Sequence, residues 1–312
     1  IRLLPKLKAE LGIRSTTFSS EVISYSSFEP RLYLQFDPTS KLSISATAVK
    51  MTQFLHLVPS SSLPLPSDLW FPSNENLLPE ESYQVGAGIH FKLNPSWQFS
   101  VDAYSKRMSN QYIYPEELDF LRELDVAEDV SSYLLVGEGK TRAVETTIEY
   151  SNEKSRVHLS YALSKNQRRF EDLNQGNWFA HNYDQRHQIK LFYSLQLADN
   201  WQASLSWNYN SAAPRILIGT IERGMGLVNF PINPQGMKNA LRSDPTHRLD
   251  VNVSYLLESG QFSHRFQIGL YNAAASNNVA YYEANFEPNE GFSARPVYGL
   301  PLLPSLSYSL QF

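Results

Sequence analysis

Apolar and polar residues alternate with a period of two along most of this chain, which is the pattern of β-strands with one apolar face. In the clearest stretch, Leu306, Tyr308, Leu310 and Phe312 alternate with serines and a glutamine. Helical periodicity is almost absent. The alternation predicts an all-β, antiparallel fold of about twelve strands, over 7–13, 32–36, 42–48, 85–93, 97–103, 144–150, 157–163, 189–197, 203–209, 249–257, 266–270 and 306–312.

The connections between these predicted strands are of two kinds that alternate along the chain. Five are short polar turns, at 37–40, 94–96, 151–154, 198–200 and 258–260. Five are long, at 59–81, 115–139, 171–185, 214–247 and 276–298, and an intermediate one at 19–27 falls at the same end. A transmembrane β-barrel has short periplasmic turns and long extracellular loops in this alternation, whereas a soluble sandwich has no reason for it.

Charges in the middle of the predicted strands indicate which face meets lipid. They lie opposite the apolar set, at Lys8, Glu10, Lys92, Asp102, Glu145, Glu149, Lys190 and Asp250. In a soluble barrel this face would be the core, where an unpaired charge costs several kcal/mol. A wide, wet lumen tolerates such charges, so we expect the apolar face to be outside.

Composition excludes several other classes of protein. The 312 residues contain no cysteine, which excludes disulfide scaffolds and thiolate chemistry. The net charge of −4 is too balanced for a nucleic-acid binder, and no apolar run reaches the ~20 residues of a membrane helix. Aromatic residues make up 13% of the chain, as expected for a barrel with aromatic girdles. Trp97 and Trp201 follow short turns, and with Phe312 they are the predicted membrane girdle; core packing is the alternative.

Five segments resemble the barrel of TonB-dependent outer-membrane receptors, especially those of Bacteroidetes type. They are FEPRL at 28–32, LPSDLWFPS at 65–73, NYDQRH at 182–187, HRLDV at 247–251 and LPLLPSLSY at 300–308. The final Phe312 also resembles the signal that outer-membrane assembly machinery reads. Members of this family close 22 strands around an N-terminal plug, with a TonB-contacting box before the plug. The resemblance therefore implies that residues 1–312 are the C-terminal portion of such a barrel, about twelve of a probable 22 strands, and that the plug is not in this chain.

The resemblance also implies a function, partners and a location. The implied function is active transport in the outer membrane: a ligand binds outside the cell and is imported with energy supplied through TonB. The implied partners are the TonB-ExbB-ExbD system through the missing N-terminal part, lipid and lipopolysaccharide, with a surface lipoprotein left open. No enzyme activity, cofactor, metal or nucleic acid is implied. The alternative is a passive twelve-stranded porin, or a structural or secretion-associated outer-membrane barrel.

Candidate binding residues come from the long connections and, for Arg186, from the extracellular start of the strand that follows one, because a short turn cannot form a binding surface. They are Asp68, Trp70, Trp178, His181, Tyr183 and Arg186. Packing of the loops on one another is the competing interpretation. Arg186 could contact an anionic ligand, or it could contact the plug and no ligand. His181 and His187 are the one close histidine pair, for which hydrogen bonding is favoured over a metal site. The acidic segment 115–130 could bind a cation, but a solvated loop helix is the favoured interpretation.

Overall fold

The fold is a continuous antiparallel sheet of long strands. The computed structural model describes residues 2–58, 69–113, 134–215, 217–223, 226–232, 241–287 and 291–312. Its long strands are β1 (Leu7–Ser19), β2 (Ser24–Phe36), β3 (Leu42–Gln53), β4 (Glu80–Lys92), β5 (Trp97–Ile113), β6 (Leu135–Ser151), β7 (Ser155–Phe170), β8 (His187–Ala198), β9 (Trp201–Asn210), β10 (Thr246–Ser259), β11 (Phe262–Tyr271) and β12 (Leu303–Gln311). Each of the twelve predicted stretches falls on one of them, so the predicted fold class is confirmed.

Each long strand pairs antiparallel with the next one along the chain. The short strand Arg2–Leu4 folds back on the start of β1. Among the described residues, β1 and β12 do not pair with each other, so the sheet is open. The structure therefore lacks the closing ladder that a twelve-stranded barrel requires.

Shorter strands lie in the long connections at one end of the sheet. The hairpin Leu55–Val58 with Leu69–Pro72 follows β3, Phe179–Ala180 adds to β7, and Pro214–Arg215 pairs with Leu241–Arg242. A separate small sheet consists of Leu217–Arg223, Gly226–Ile232, Val279–Glu287 and Gly291–Tyr298. Its Leu217–Arg223 and Val279–Glu287 strands run parallel, a local departure from the antiparallel prediction. No helix within the described ranges is long and apolar enough to cross a membrane.

The short turns all lie at the opposite end of the sheet, since consecutive antiparallel strands place alternate connections at the same end. The connection expected at 19–27 is shorter than predicted. Strands β1 and β2 pair as far as Ser19 and Ser24, and the Ser20 N–H donates to the Ile23 carbonyl over 2.9 Å. Hydroxyl pairs across the strands, such as Thr17 with Ser26 at 3.2 Å, extend the ladder beyond the apolar alternation.

Register aligns the alternating residues into rows that cross the sheet. One row on the apolar face consists of Leu249, Trp207, Leu191, Leu159, Ile148, Phe99, Phe91 and Leu42. Large apolar side chains on this face are exposed, among them Leu11, Ile13, Val85, Ile268 and Leu306. An apolar face of this extent indicates contact with something other than water.

The polar face is the crowded face. Gly86, Gly88, Gly139 and Gly269 all lie on it, and a Cβ at any of them would come within 3.0 Å of a neighbouring side-chain atom. At Gly88, that atom would be Oδ1 of Asp102. Side chains converge on the concave side of a curved sheet, so these glycines mark the polar face as the inner one. The apolar face is the outer one, as the mid-strand charges predict.

Candidate functional site

The long connections are held in place by buried polar residues. Asp184, which is fully buried, precedes β8 and accepts hydrogen bonds from Nη2 of Arg242 at 2.8 Å and from the Asn166 backbone at 2.7 Å. Nη2 of Arg186 lies 3.4 Å away. Arg242 also donates to the Ala212 carbonyl over 2.8 Å. One carboxylate therefore fastens the connection before β8 to both β7 and the connection before β10. We call such a group of buried polar contacts, which fixes a connection in place, a lock.

A second lock attaches the connection between β3 and β4. Nδ1 of the fully buried His56 lies 3.2 Å from Oε1 of Glu80, and its Nε2 lies 2.9 Å from Oγ of Ser73. Gln111 donates to the other Glu80 oxygen over 2.7 Å, and the Tyr112 ring packs edge-on against His56 at 5.0 Å. Serine hydrolases use the same serine–histidine–carboxylate connectivity. Ser73 is only 1% exposed, however, so this trio is closed to a substrate and works as a lock.

A third lock orders the connection between β11 and β12. Asn272 is fully buried; its backbone N–H donates to Oδ1 of Asp250 over 3.0 Å. Its side-chain amide donates to the Ser276 and Leu300 carbonyls over 3.0 and 3.3 Å. Asn272 has φ of +50°, a left-handed conformation that asparagine tolerates better than most residues.

The five segments that carry the family resemblance coincide with these buried contacts. Glu29 of FEPRL is buried and accepts a hydrogen bond from Ser27 over 3.0 Å. LPSDLWFPS supplies Ser73, NYDQRH supplies Asp184, HRLDV supplies Asp250, and the last segment supplies the Leu300 carbonyl. The motifs are therefore fastening points of the loops. Sequence reasoning missed their partners His56, Glu80, Arg242 and Asn272, because no local pattern relates residues so far apart.

Two of the predicted binding residues are prominently exposed at the loop end. Trp70 lies on the short strand Leu69–Pro72 and is 60% exposed; Tyr183 is 67% exposed. The rings of Tyr183 and His181 lie 5.3 Å apart. Arg186 is engaged with Asp184 and with the Ser164 carbonyl. Asp68 and the acidic segment 115–130 lie outside the described residues.

His181 is held in its neutral form. Burial, the largest cause, and the positive charge of Arg168 together lower its pKa to about 4, although Asp184 opposes the shift. The Tyr183 backbone N–H donates to Nδ1 of His181 over 3.4 Å. His187 has a separate partner, the Tyr161 hydroxyl at 2.9 Å. Within the described ranges, no group of three acidic or histidine side chains is arranged to hold a metal ion.

Trp178 lies on the outer side of the sheet rather than beside Tyr183. Its ring covers Nζ of Lys140 at 3.7 Å and faces the guanidinium of Arg169 at 5.5 Å. Both cations occupy positions in register with the apolar set of β6 and β7. This placement gives Trp178 different surroundings from those of Trp70 and Tyr183.

Aromatic pairs mark the turn end of the outer face. Trp97 packs against Tyr150 at 4.6 Å, and Trp201 packs against Tyr255 at 4.8 Å. Phe312 follows the end of β12 and is 95% exposed. The geometry suits a girdle of indole and phenol rings at a membrane interface, which remains the proposed role of Trp97, Trp201 and Phe312.

An apolar outer face, a polar inner face and long connections at one end define this chain as the wall of an outer-membrane-type β-barrel. Residues 1–273 match the family described as TonB dependent receptor-like, beta-barrel. The chain belongs to this family, whose members are outer-membrane proteins. The match does not distinguish the Bacteroidetes type.

Solved structures show the same fold. The ferripyoverdine receptor of the outer membrane of Pseudomonas aeruginosa is 15% identical, with a TM-score of 0.62; the alignment covers 99% of this chain and 37% of the receptor. The ferric-catecholate import receptor Fiu from E. coli K12 is 12% identical, with a TM-score of 0.63 and coverage of 98% and 42%. BauA, the ferric preacinetobactin receptor from Acinetobacter baumannii, is 18% identical, with a TM-score of 0.60 and coverage of 98% and 40%.

The chain therefore spans about two fifths of the length of these receptors. A comparison with curated protein sequences gives no match.

Proposed function

We propose that this chain is part of an outer-membrane receptor that binds a ligand outside the cell and imports it with energy supplied through TonB. The observation that carries the proposal is the locked loop end. Asp184 and Arg242 tie two long connections together, and His56 and Glu80 fix a third. A mouth built from fixed connections can present exposed side chains to a ligand at low entropic cost.

The proposed ligand contacts are Asp68, Trp70, Trp178, His181, Tyr183 and Arg186. Support is strongest for Trp70 and Tyr183, whose rings are free to stack on a ligand. A neutral, half-buried His181 beside Tyr183 offers a hydrogen-bonding group without the cost of removing water from a charge.

Residues 1–312 are proposed to be the C-terminal portion of a larger barrel whose plug is not in this chain. The open edges of β1 and β12 support this, because each unpaired backbone group in lipid costs several kcal/mol. The proposed partners are the TonB-ExbB-ExbD system, acting through the plug-bearing part, together with lipid and lipopolysaccharide; a surface lipoprotein remains an alternative.

Ferric chelates are the first ligand class to test, since the three similar structures are described as receptors for iron complexes. The full-length protein should be produced in a strain that lacks its own ferric-siderophore receptors. Uptake of ⁵⁵Fe as ferripyoverdine, as a ferric catecholate and as ferric citrate is then measured with and without a protonophore.

Saturable uptake of one chelate that stops with the protonophore is the expected result. Uptake that continues without the proton gradient would establish the passive barrel instead. Uptake of none of the three chelates would exclude these three iron complexes as the transported ligand. The variant Trp70→Ala tests the proposed contact and should reduce this uptake. Trp201→Ala, at the opposite end of the sheet, is its matched control and should leave uptake unchanged.

A further inference from the structure

Cations form directly opposed pairs on the outer face of the sheet. Arg142 of β6 is the cross-strand partner of Lys165 of β7, and Arg107 of β5 is the partner of Lys140 of β6. All four are in register with the apolar set, so they point to the lipid side. Like charges directly opposite each other on one face are destabilising. Two adjoining pairs of this kind favour an anion between them.

The carboxylate within this group is already engaged. Glu138 lines the same surface and is ion-paired with Arg169. Trp178 covers Lys140 at 3.7 Å, which shields that ammonium on one side. The cationic depression that these residues line has a volume of about 360 Å³.

An apolar depression of about 700 Å³ adjoins the cationic one on the outer face. It lies between two outward-pointing rows, in which Ala87 and Ala103 form a low floor and Val85, Val144 and Leu163 form the walls. The two depressions share Ser105 and Arg142. Together they make one groove that is apolar toward the turn end and cationic toward the loop end.

The height of this boundary matches the lipid headgroup level. Ser105 lies eight positions beyond the girdle residue Trp97 on β5. At ~3.3 Å per residue this is about 26 Å along the strand, or about 20 Å of thickness for a strand tilted by ~40°. The apolar band of an outer-membrane barrel is ~25 Å tall, so the cations begin near its upper border.

We propose that this groove binds a phosphorylated, acylated lipid of the outer leaflet. An acyl chain lies in the depression walled by Val85, Val144 and Leu163, and a phosphate lies between Arg142 and Lys165 and near Arg107 and Lys140. The cations complement a phosphate group, and the apolar depression beside them suits an acyl chain. A soluble phosphate would use only the cations, so the two features together favour a lipid. The proposal rests on the outer-membrane location of the family and is independent of the transport proposal.

The test uses the full-length protein, delipidated in a neutral detergent. Lipid A bearing its phosphates, dephosphorylated lipid A and inorganic phosphate are titrated separately, and the midpoint of thermal unfolding is followed. We expect phosphorylated lipid A to raise the midpoint of the natural protein and to bind the double variant R142Q/K165Q about 30-fold more weakly. Without lipid, the variant should unfold no earlier than the natural protein, because the repulsion is removed.

The matched control is R156Q/K190Q, which removes two cations from the inner face and should bind lipid A like the natural protein. Equal affinity of the natural protein and R142Q/K165Q would overturn the proposal. An equal effect of inorganic phosphate would replace the lipid with a free anion, and an equal effect of dephosphorylated lipid A would show that the cations do not contribute. Uptake of ⁵⁵Fe chelates by R142Q/K165Q should be unchanged if the lipid groove and the transport site are independent. This measurement distinguishes a failure of the lipid proposal from a failure of the transport proposal.

Discussion

Asp184 and Arg242 are 58 positions apart in the sequence, yet the guanidinium donates to the carboxylate over 2.8 Å. The carboxylate is fully buried, while the Arg242 side chain is 35% exposed. Asp184 also accepts a hydrogen bond from the backbone N–H of Asn166 over 2.7 Å. Its removal would leave that N–H and Nη2 of Arg242 without this acceptor. The pair makes two long connections into one structural unit.

Replacing Asp184 with alanine should therefore loosen both connections at once. Removal of one partner of a buried ion pair costs ~3–5 kcal/mol, and the partial exposure of Arg242 places the expected cost at the lower end of that range. Hydrogen exchange should show faster exchange at 179–186 and at 241–243, with β1 to β4 unchanged. Asp199→Ala, in an exposed short turn, serves as the control; local exchange that stays at the natural rate in Asp184→Ala would contradict the lock.

Neighbouring residues of β10 should differ in their tolerance of charge. Val251 lies on the outer face four positions from the girdle residue Tyr255, which places it near the middle of the apolar band. Val251→Arg should cost ~2–4 kcal/mol in membrane stability. Asn252→Arg, which points into the lumen, should be nearly neutral. Unfolding by urea in lipid vesicles measures both, and equal costs would mean that the two faces are assigned the wrong way round.

The loop that contains His181 should weaken in acid. Its folded pKa of about 4 lies below the ordinary 6.5, so the stability contributed by the neutral ring is complete above pH 6.5. It declines as the pH falls toward 4, by at most ~1.4 kcal/mol per pH unit for one proton. Hydrogen exchange at 179–186, corrected for the intrinsic rate at each pH, should show this loss. His181→Gln should flatten the profile; an unchanged profile in that variant would assign the effect to another group.

Chemical labelling should establish which end of the sheet faces outward. This chain contains no cysteine, so a single introduced cysteine is the one position in it that a thiol reagent can label. Gln175→Cys, in the connection before β8, should react with an impermeant maleimide on intact cells. Glu153→Cys, in the turn between β6 and β7, should react only after the outer membrane is permeabilised. The reverse result would invert the barrel and move the binding residues to the periplasm.

Trp70 and Trp178 should have separable roles despite both lying in long connections. Trp70→Ala should reduce ligand uptake by raising KM, because it removes an exposed surface on which the ligand stacks. Trp178→Ala removes the ring that holds the Lys140 ammonium in position on the outer face, so it should weaken retention of phosphorylated lipid more than uptake. Native mass spectrometry of the retained lipid and ⁵⁵Fe uptake measure the two effects in the same preparations. An equal loss of uptake in both variants would show that Trp178 contributes to ligand binding as much as Trp70 does.

Much of this fold could be predicted from the sequence because strand periodicity is local. Residues i and i+2 share a face wherever the backbone is extended, so the apolar set and the mid-strand charges already separate the two sides of the sheet. Short polar turns fix which strands are neighbours, and their alternation with long connections fixes which end carries the loops. The family resemblance rests on the same local segments, such as NYDQRH at 182–187.

Only the tertiary structure decided how the loop end is assembled. The partnerships of His56 with Glu80, of Asp184 with Arg242 and of Asn272 with Asp250 join residues 22 to 58 positions apart, and no periodicity encodes them. Trp178 could be assigned to a long connection from the sequence, but its packing on Lys140 depends on the path of that connection across the edge of the sheet. The opposed cations Arg142 and Lys165 become a site only when register places them side by side. Strands are determined by neighbours along the chain, whereas a site is determined by neighbours in space.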